Sequence, residues 1–200
     1  MSNRVDTAAN NTLIHGVGYN SRGKYKSKVD GKNTKEYDAW HDMMKRCYNP
    51  KHQEKFPTYR GCSVSREWHD YQVFAEWYIN SVGYVNNYQL DKDLLVRGNK
   101  IYSADFCCLL PQELNSLLTD RKAARGLYPV GVTATESMNK FRARLRVDNK
   151  EVYLGRYRTI EEAFAAYKSA KELNVKSMAV RWRGKIDSRA YQALLDWRVL

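Results

Sequence analysis

The run Phe141-Arg142-Ala143-Arg144-Leu145-Arg146-Val147, followed by the turn Asp148-Asn149-Lys150 and the return VYLGRY, decides the fold of the C-terminal third. Apolar and basic residues alternate with a period of two, the pattern of a strand that is buried on one face and open on the other. Thr159 stands where a helix N-cap belongs, with Glu162 three residues on, a capping box. The helix that follows, IEEAFAAYKSAKELN, carries Ile160, Ala163, Phe164, Tyr167 and Ala170 on one side and should cover the apolar face of the sheet. A further helix is expected over 187–197.

The opposite face is the chemical feature. Residues two apart on a strand are about 6.6–6.8 Å apart on one side, so Arg142, Arg144 and Arg146 form a row of guanidinium groups. A guanidinium fork can bond two phosphate oxygens or the acceptors of guanine in a major groove. Lys140, Tyr153 and Arg156 extend the row. A solvated outer face is the alternative. Three arginines in succession, with Asp148 the nearest acid on that strand, favour a polyanionic partner.

Composition agrees. Lys and Arg number 34 against 22 Asp and Glu, a net charge of +12. Residues 129–200 hold 15 basic and 8 acidic side chains, so +7 of that excess lies there and +5 in 1–128. Positive proteins gain affinity for nucleic acids through counterion release. The 15 Tyr and 5 Trp argue against a disordered charged tail. The polar start MSNRVDTAANN and the lack of a long apolar run lead to the expectation of a cytoplasmic protein with no membrane span. The four cysteines, Cys47, Cys62, Cys107 and Cys108, include no Cys-x-x-Cys pair, which argues against a disulfide scaffold and against structural zinc. Buried packing thiols are expected instead.

Toward the N-terminus, residues 15–32 read as short strands with turns at 20–23 and Asp30-Gly31. Tyr37, Trp40, Met43, Met44 and Cys47 recur at helical spacing and predict a helix over 36–47. Trp68, Tyr71, Phe74, Trp77 and Tyr78 predict a second; both stripes are core rather than stacking platforms. The segments 89–96 and 100–110 lean toward strand around the turn Arg97-Gly98-Asn99-Lys100. Pro111 opens a short helix, QELNSLL.

Two resemblances add to this reading. Gly131-Val132, Phe141-Arg142-Ala143, Tyr153-Leu154-Gly155-Arg156-Tyr157, Thr159, Glu161-Glu162-Ala163, Ala166-Tyr167 and Ala170 resemble the Apetala-type (ethylene-response-factor-type) DNA-binding domain over most of 129–172. The resemblance implies a three-stranded antiparallel sheet laid in the major groove of double-stranded DNA, with one helix behind it. It implies contacts from Lys140, Arg142, Arg144, Arg146 and Arg156. Most plant members carry Trp at sheet positions where this chain has Phe141 and Tyr153.

The 37–118 region resembles a group of phage HNH-type endonucleases of the homing kind, some of which carry an Apetala-type targeting module. The matching residues include Trp40-x-x-Met43-Met44-x-Arg46-Cys47-Tyr48-Asn49-Pro50, Tyr59-Arg60-Gly61-Cys62-Ser63-Val64, Leu90-Asp91-Lys92-Asp93, Gly98-Asn99-Lys100, Cys107 and Asn115. The resemblance implies a ββα-metal unit that hydrolyses phosphodiesters with magnesium or another divalent cation. Asp91 and Asn115 take the metal positions, Lys92 stands where the usual His is the base, and Asp93 is a substitute base or further ligand. The Asn that usually braces the hairpin falls near Phe106. An oxygen-rich site suits magnesium, and a lysine acts as base only with a strongly lowered pKa. His41, His52 and His69 are expected as surface or helix residues, not ligands.

The expected fold is therefore α+β. An N-terminal arm with short strands covers 1–36, an HNH-like nuclease domain 37–118, a linker 119–128, an Apetala-type domain 129–175 and a helical extension 176–200. The expected function is a phage-encoded, sequence-specific DNA endonuclease acting in the bacterial host cell. The alternative is a DNA-binding transcriptional regulator descended from one, as the replaced His and missing Asn would suit. Nothing resembles an RNA-binding aromatic motif.

Overall fold

The computed structural model describes residues 13–118, 127–135, 140–148 and 150–200. Residues 1–12 of the expected arm and 119–126 of the expected linker lie outside that set. The chain is mixed α and β with small sheets and divides into two compact units, 1–110 and 111–200.

The first unit opens with a hairpin of β1 (Lys28–Val29) and β2 (Lys32–Asn33), joined through Asp30 and Gly31. Both turn residues have positive φ, 49° and 76°, as a two-residue hairpin loop requires. Thr34 caps α1 (Lys35–Tyr48) by accepting the Tyr37 N–H. Asn49 ends that helix and caps α2 (Pro50–Lys55). Asp70 caps α3 (Tyr71–Asn80), which packs on α1. The apolar stripes meet: Trp40, Met43, Met44, Tyr71 and Phe74 are wholly buried, each such burial stabilising by roughly 1.5–3 kcal/mol. The Trp40 indole N–H donates to the Trp68 carbonyl at 2.8 Å. Trp68 itself lies in a 3₁₀ turn before α3, so the aromatic period runs across a helix start.

The rest of this unit is two small ladders. β3 (Ser63–Val64) runs parallel to β5 (Ile101–Tyr102). β4 (Gln89–Asp91) pairs antiparallel with β6 (Cys108–Leu110), Asp91 opposite Cys108. The strands are shorter than the segments 89–96 and 100–110 suggested, because the chain bends at Lys92 and again at Ser103. The four cysteines are buried and none is in a disulfide. Burial pushes the Cys47 and Cys107 thiols up to about 12.

The second unit begins with α4 (Gln112–Leu118) and contains a meander of β7 (Val132–Ala134), β8 (Phe141–Val147) and β9 (Lys150–Tyr157), in the order β7-β8-β9. Behind it lies α5 (Ile160–Trp182), opened by the Thr159–Glu162 capping box. Val132, Ala143 and Ala163 form one buried cluster; Leu145, Tyr167 and Val199 form a second. Gly131 sits at φ +77°, and a Cβ there would fall 2.1 Å from the Tyr167 ring, so only glycine fits.

The helix is longer than the sequence pattern indicated. It runs unbroken through 175/176, where the sequence placed a boundary, and buries Val175 and Ala179. After α6 (Ser188–Leu195) the tail returns, and Val199 and Trp197 pack on Leu145 and Tyr167. Lys171 donates to the Leu117 carbonyl at 2.7 Å and the Trp182 indole N–H to Glu113 at 2.5 Å, holding α4 against α5. The segment 176–200 is thus part of the core behind the sheet.

Candidate nucleic-acid interface and hairpin site

Strand β8 behaves as its alternation demands. Ala143 and Leu145 are buried, whereas Arg142 and Arg144 are half-exposed and Arg146 exposed. On β9 strict alternation fails, since Tyr153 and Arg156 are three residues apart and would take opposite faces. The register shows how both reach the arginine side. Gly155 pairs with Ala143 and Tyr153 with Arg144, so Leu154 is the extra residue of a β-bulge. Gly155 adopts φ +131°, a conformation that glycine tolerates, and Leu154 turns into the core with Ala143 and Leu145.

The outer face is therefore a grid. Thr133, Arg142 and Arg156 form one cross-strand row, Arg144 and Tyr153 a second, and Arg146 and Glu151 a third. Lys140 belongs to this side by alternation, and its carbonyl accepts the N–H and hydroxyl of Thr135 at 2.9 Å each. Tyr153 is 57% exposed. Phe141 is different: it packs with Tyr128 against the helix-side cluster, so Tyr153 alone of the two aromatic residues is on the arginine face.

Arg144 is not unpaired, as the strand read alone suggested. It donates to Glu151 across the ladder at 2.9 Å and to Thr133 at 3.4 Å. Glu151 belongs to the next strand, and only the register makes it a neighbour of the row. An exposed pair of this kind is worth about 0–1 kcal/mol, so phosphate can displace it. Arg142 and Arg156 are direct register partners of like charge, an arrangement that opposes strand pairing. Neither forms an ion pair with any described residue.

The hairpin site is arranged in the contrary way. Asp91, at the end of β4, accepts the backbone N–H groups of Asp93 (3.0 Å) and Leu94 (2.8 Å) through one oxygen, Oδ1. Its Oδ2 has no hydrogen bond to a described residue. Burial, aided by the charge of Asp93, pushes the Asp91 carboxyl above the ordinary range, against the pull of the two amides. Lys92 is buried, and its ammonium donates to Asp93 at 2.5 Å and to the Asn99 carbonyl at 3.0 Å. The Lys92 side chain is thus held between a carboxylate and a carbonyl.

Sequence reading placed Asn99 in a turn and in the Gly98-Asn99-Lys100 match but gave its side chain no role. Its amide donates to the carbonyls of Lys92 (2.9 Å) and Ile101 (2.7 Å) and accepts the Ile101 N–H (3.0 Å). This side chain braces the loop between β4 and β5.

Asn115 lies on α4 in the second unit, while Asp91, Lys92 and Asp93 lie in the first. Among the described residues no three His, Cys, Asp or Glu side chains group so as to hold a metal. Magnesium is commonly held by one or two carboxylates together with substrate phosphates. His69 is tied to the Val64 carbonyl and Tyr48, and the His41 ring lies tilted against that of His15, centroids 5.3 Å apart.

No family model, no curated protein and no solved structure matches the chain in comparisons with known proteins. No helix among the described residues is long and apolar enough to cross a membrane.

Proposed function

We propose that this protein binds duplex DNA sequence-specifically through the outer face of the β7-β8-β9 sheet. The carrying observation is the Arg142–Arg156 register pair: two like charges set face to face beside Arg144, Arg146 and Tyr153. A bound polyanion relieves their repulsion, and guanidinium forks at strand spacing suit phosphates and guanine edges. Tyr153 adds an apolar surface with a hydroxyl for base edges. The helix α5 holds the sheet rigid from behind, which favours recognition by a preformed surface. The test is selection of duplexes from a random pool by wild type and by Arg142→Ala. An enriched motif for wild type, relaxed at some positions and weakened by about 1–3 kcal/mol in the variant, supports the reading. No enrichment and no binding at low salt overturns it.

A second reading is that the protein also cuts DNA as a homing-type phage endonuclease. One observation favours it: the antiparallel pair β4 and β6 is followed in the chain by α4, with Asp91 at the end of β4 and Asn115 on α4. Magnesium entering with the substrate would sit on Asp91 Oδ2 and stabilise charge on the leaving oxygen. The protein's own part is to hold Asp91 fixed through its two amide bonds and keep Lys92 and Asp93 beside it. Asp91→Asn separates structure from chemistry, since its carbonyl still accepts both N–H groups. Cleavage by wild type with magnesium, abolished in Asp91→Asn, supports the enzyme. Specific binding without cleavage in several divalent metals supports a regulator derived from one.

A further inference from the structure

We propose that the basic arm over 22–33 in the first unit is a second DNA-binding surface, which grips the phosphate backbone without reading bases. The inference rests on the DNA-binding reading above and concerns a separate surface. Arg22, Lys24, Lys26, Lys28 and Lys32 are all exposed, and Asp30 is the one acid in that stretch. The alternation is visible in burial: Lys24, Lys26 and Lys28 face solvent while Tyr25 and Ser27 turn inward. Lys24 shares an exposed ion pair with Glu76 at 3.6 Å, whereas Arg22, Lys26, Lys28 and Lys32 have none among the described residues.

The arm is a built element, fixed from beneath by side chains of α3. The Gln72 amide accepts the Tyr25 N–H at 2.9 Å and donates to the Tyr25 carbonyl at 2.9 Å and to Asn20 at 2.8 Å. The Tyr71 hydroxyl donates to the Lys26 carbonyl at 2.9 Å, with Thr34 donating to the same oxygen at 3.2 Å. Tyr71 is wholly buried, so the backbone of the arm is bonded into the core while its cations stay outside. Lys35, by contrast, turns inward to the Tyr84 carbonyl and Asn87 and is not part of the row. With its backbone already fixed, the arm would present its cations to phosphates with little ordering cost to offset the gain. Lysine, a point charge rather than a planar fork, suits phosphates more than base edges.

The test compares the full-length wild type with R22Q/K26Q/K28Q/K32Q and with K26R/K28R/K32R, on the selected duplex and on a scrambled one across a salt series. Every phosphate that a variant no longer neutralises lowers the slope of log affinity against log salt by about 0.9. The glutamine variant should have a slope shallower by about two to four units and bind both duplexes more weakly by the same factor. The arginine variant should keep the wild-type slope, and both should melt with wild type. A glutamine variant with unchanged slope overturns the arm while leaving the sheet reading intact. Weakening confined to the selected duplex also overturns it, because the arm would then be reading bases. Wild type that binds neither duplex overturns both readings.

Discussion

The outer face of the sheet and the loop after β4 carry similar numbers of charged groups and treat them oppositely. In the loop, Asp91, Lys92 and Asn99 each bond a neighbour, so charge and amide serve the turn. On the sheet, Arg142 and Arg156 face each other with no counter-ion among the described residues. Where polar groups satisfy one another, the fold accounts for them. Where they are left opposed, water or a polyanion satisfies them, and this is why the sheet, more than the loop after β4, carries the proposed function.

The largest effect should come from removing the backing of the sheet. Gly131→Ala forces positive φ on alanine and drives its Cβ into Tyr167. A destabilisation of about 2–5 kcal/mol is expected from strain and overpacking together, read by urea unfolding. Stability unchanged would mean that the sheet–helix packing is not as described. Next, Asn99→Ala should cost about 1–3 kcal/mol by orphaning loop carbonyls and should leave the selected DNA motif unaltered. A changed motif would put the loop in the interface and erase the contrast.

The smallest effect concerns pH. His15 is held below the ordinary imidazole range, first by burial and then by its neighbours His41, Lys45 and His52. A depressed folded-state pKa means that the fold prefers the neutral ring. Its stabilisation is complete above about pH 6.5 and is lost as pH falls through the lowered value. The first unit should melt earlier at acid pH, and His15→Gln should flatten that dependence; an unchanged profile in the variant assigns the effect elsewhere.

Much of the second unit was legible because its signals are local. A period of two and a capping box each lie within a few neighbouring positions, whereas Lys150, read as part of the turn, opens β9 opposite Val147. The bulge was not, since Leu154 gives no sign that it leaves the alternation until Gly155 is seen at positive φ opposite Ala143. The Arg144–Glu151 pair was hidden for a related reason: an acid on the adjacent strand becomes a partner only once register is set. The length of α5 was missed because Asn174 and Ser177 weaken the helical pattern, while Val175 and Ala179 are buried residues beyond them. In the first unit the apolar stripes of α1 and α3 led to the core directly. Lys92 was placed at the base position by resemblance, and its burial and its ion pair with Asp93 are visible only in the structure.

The most direct measurement of the central claim is the effect of Arg142→Ala on two quantities at once: the melting temperature of the free protein and its affinity for the selected duplex. If the outer face is held open for DNA, removing one of two opposed charges leaves the free protein at least as stable and weakens DNA binding. A variant that melts earlier and binds DNA as tightly as wild type would show that the arginines serve the fold, and would contradict the account.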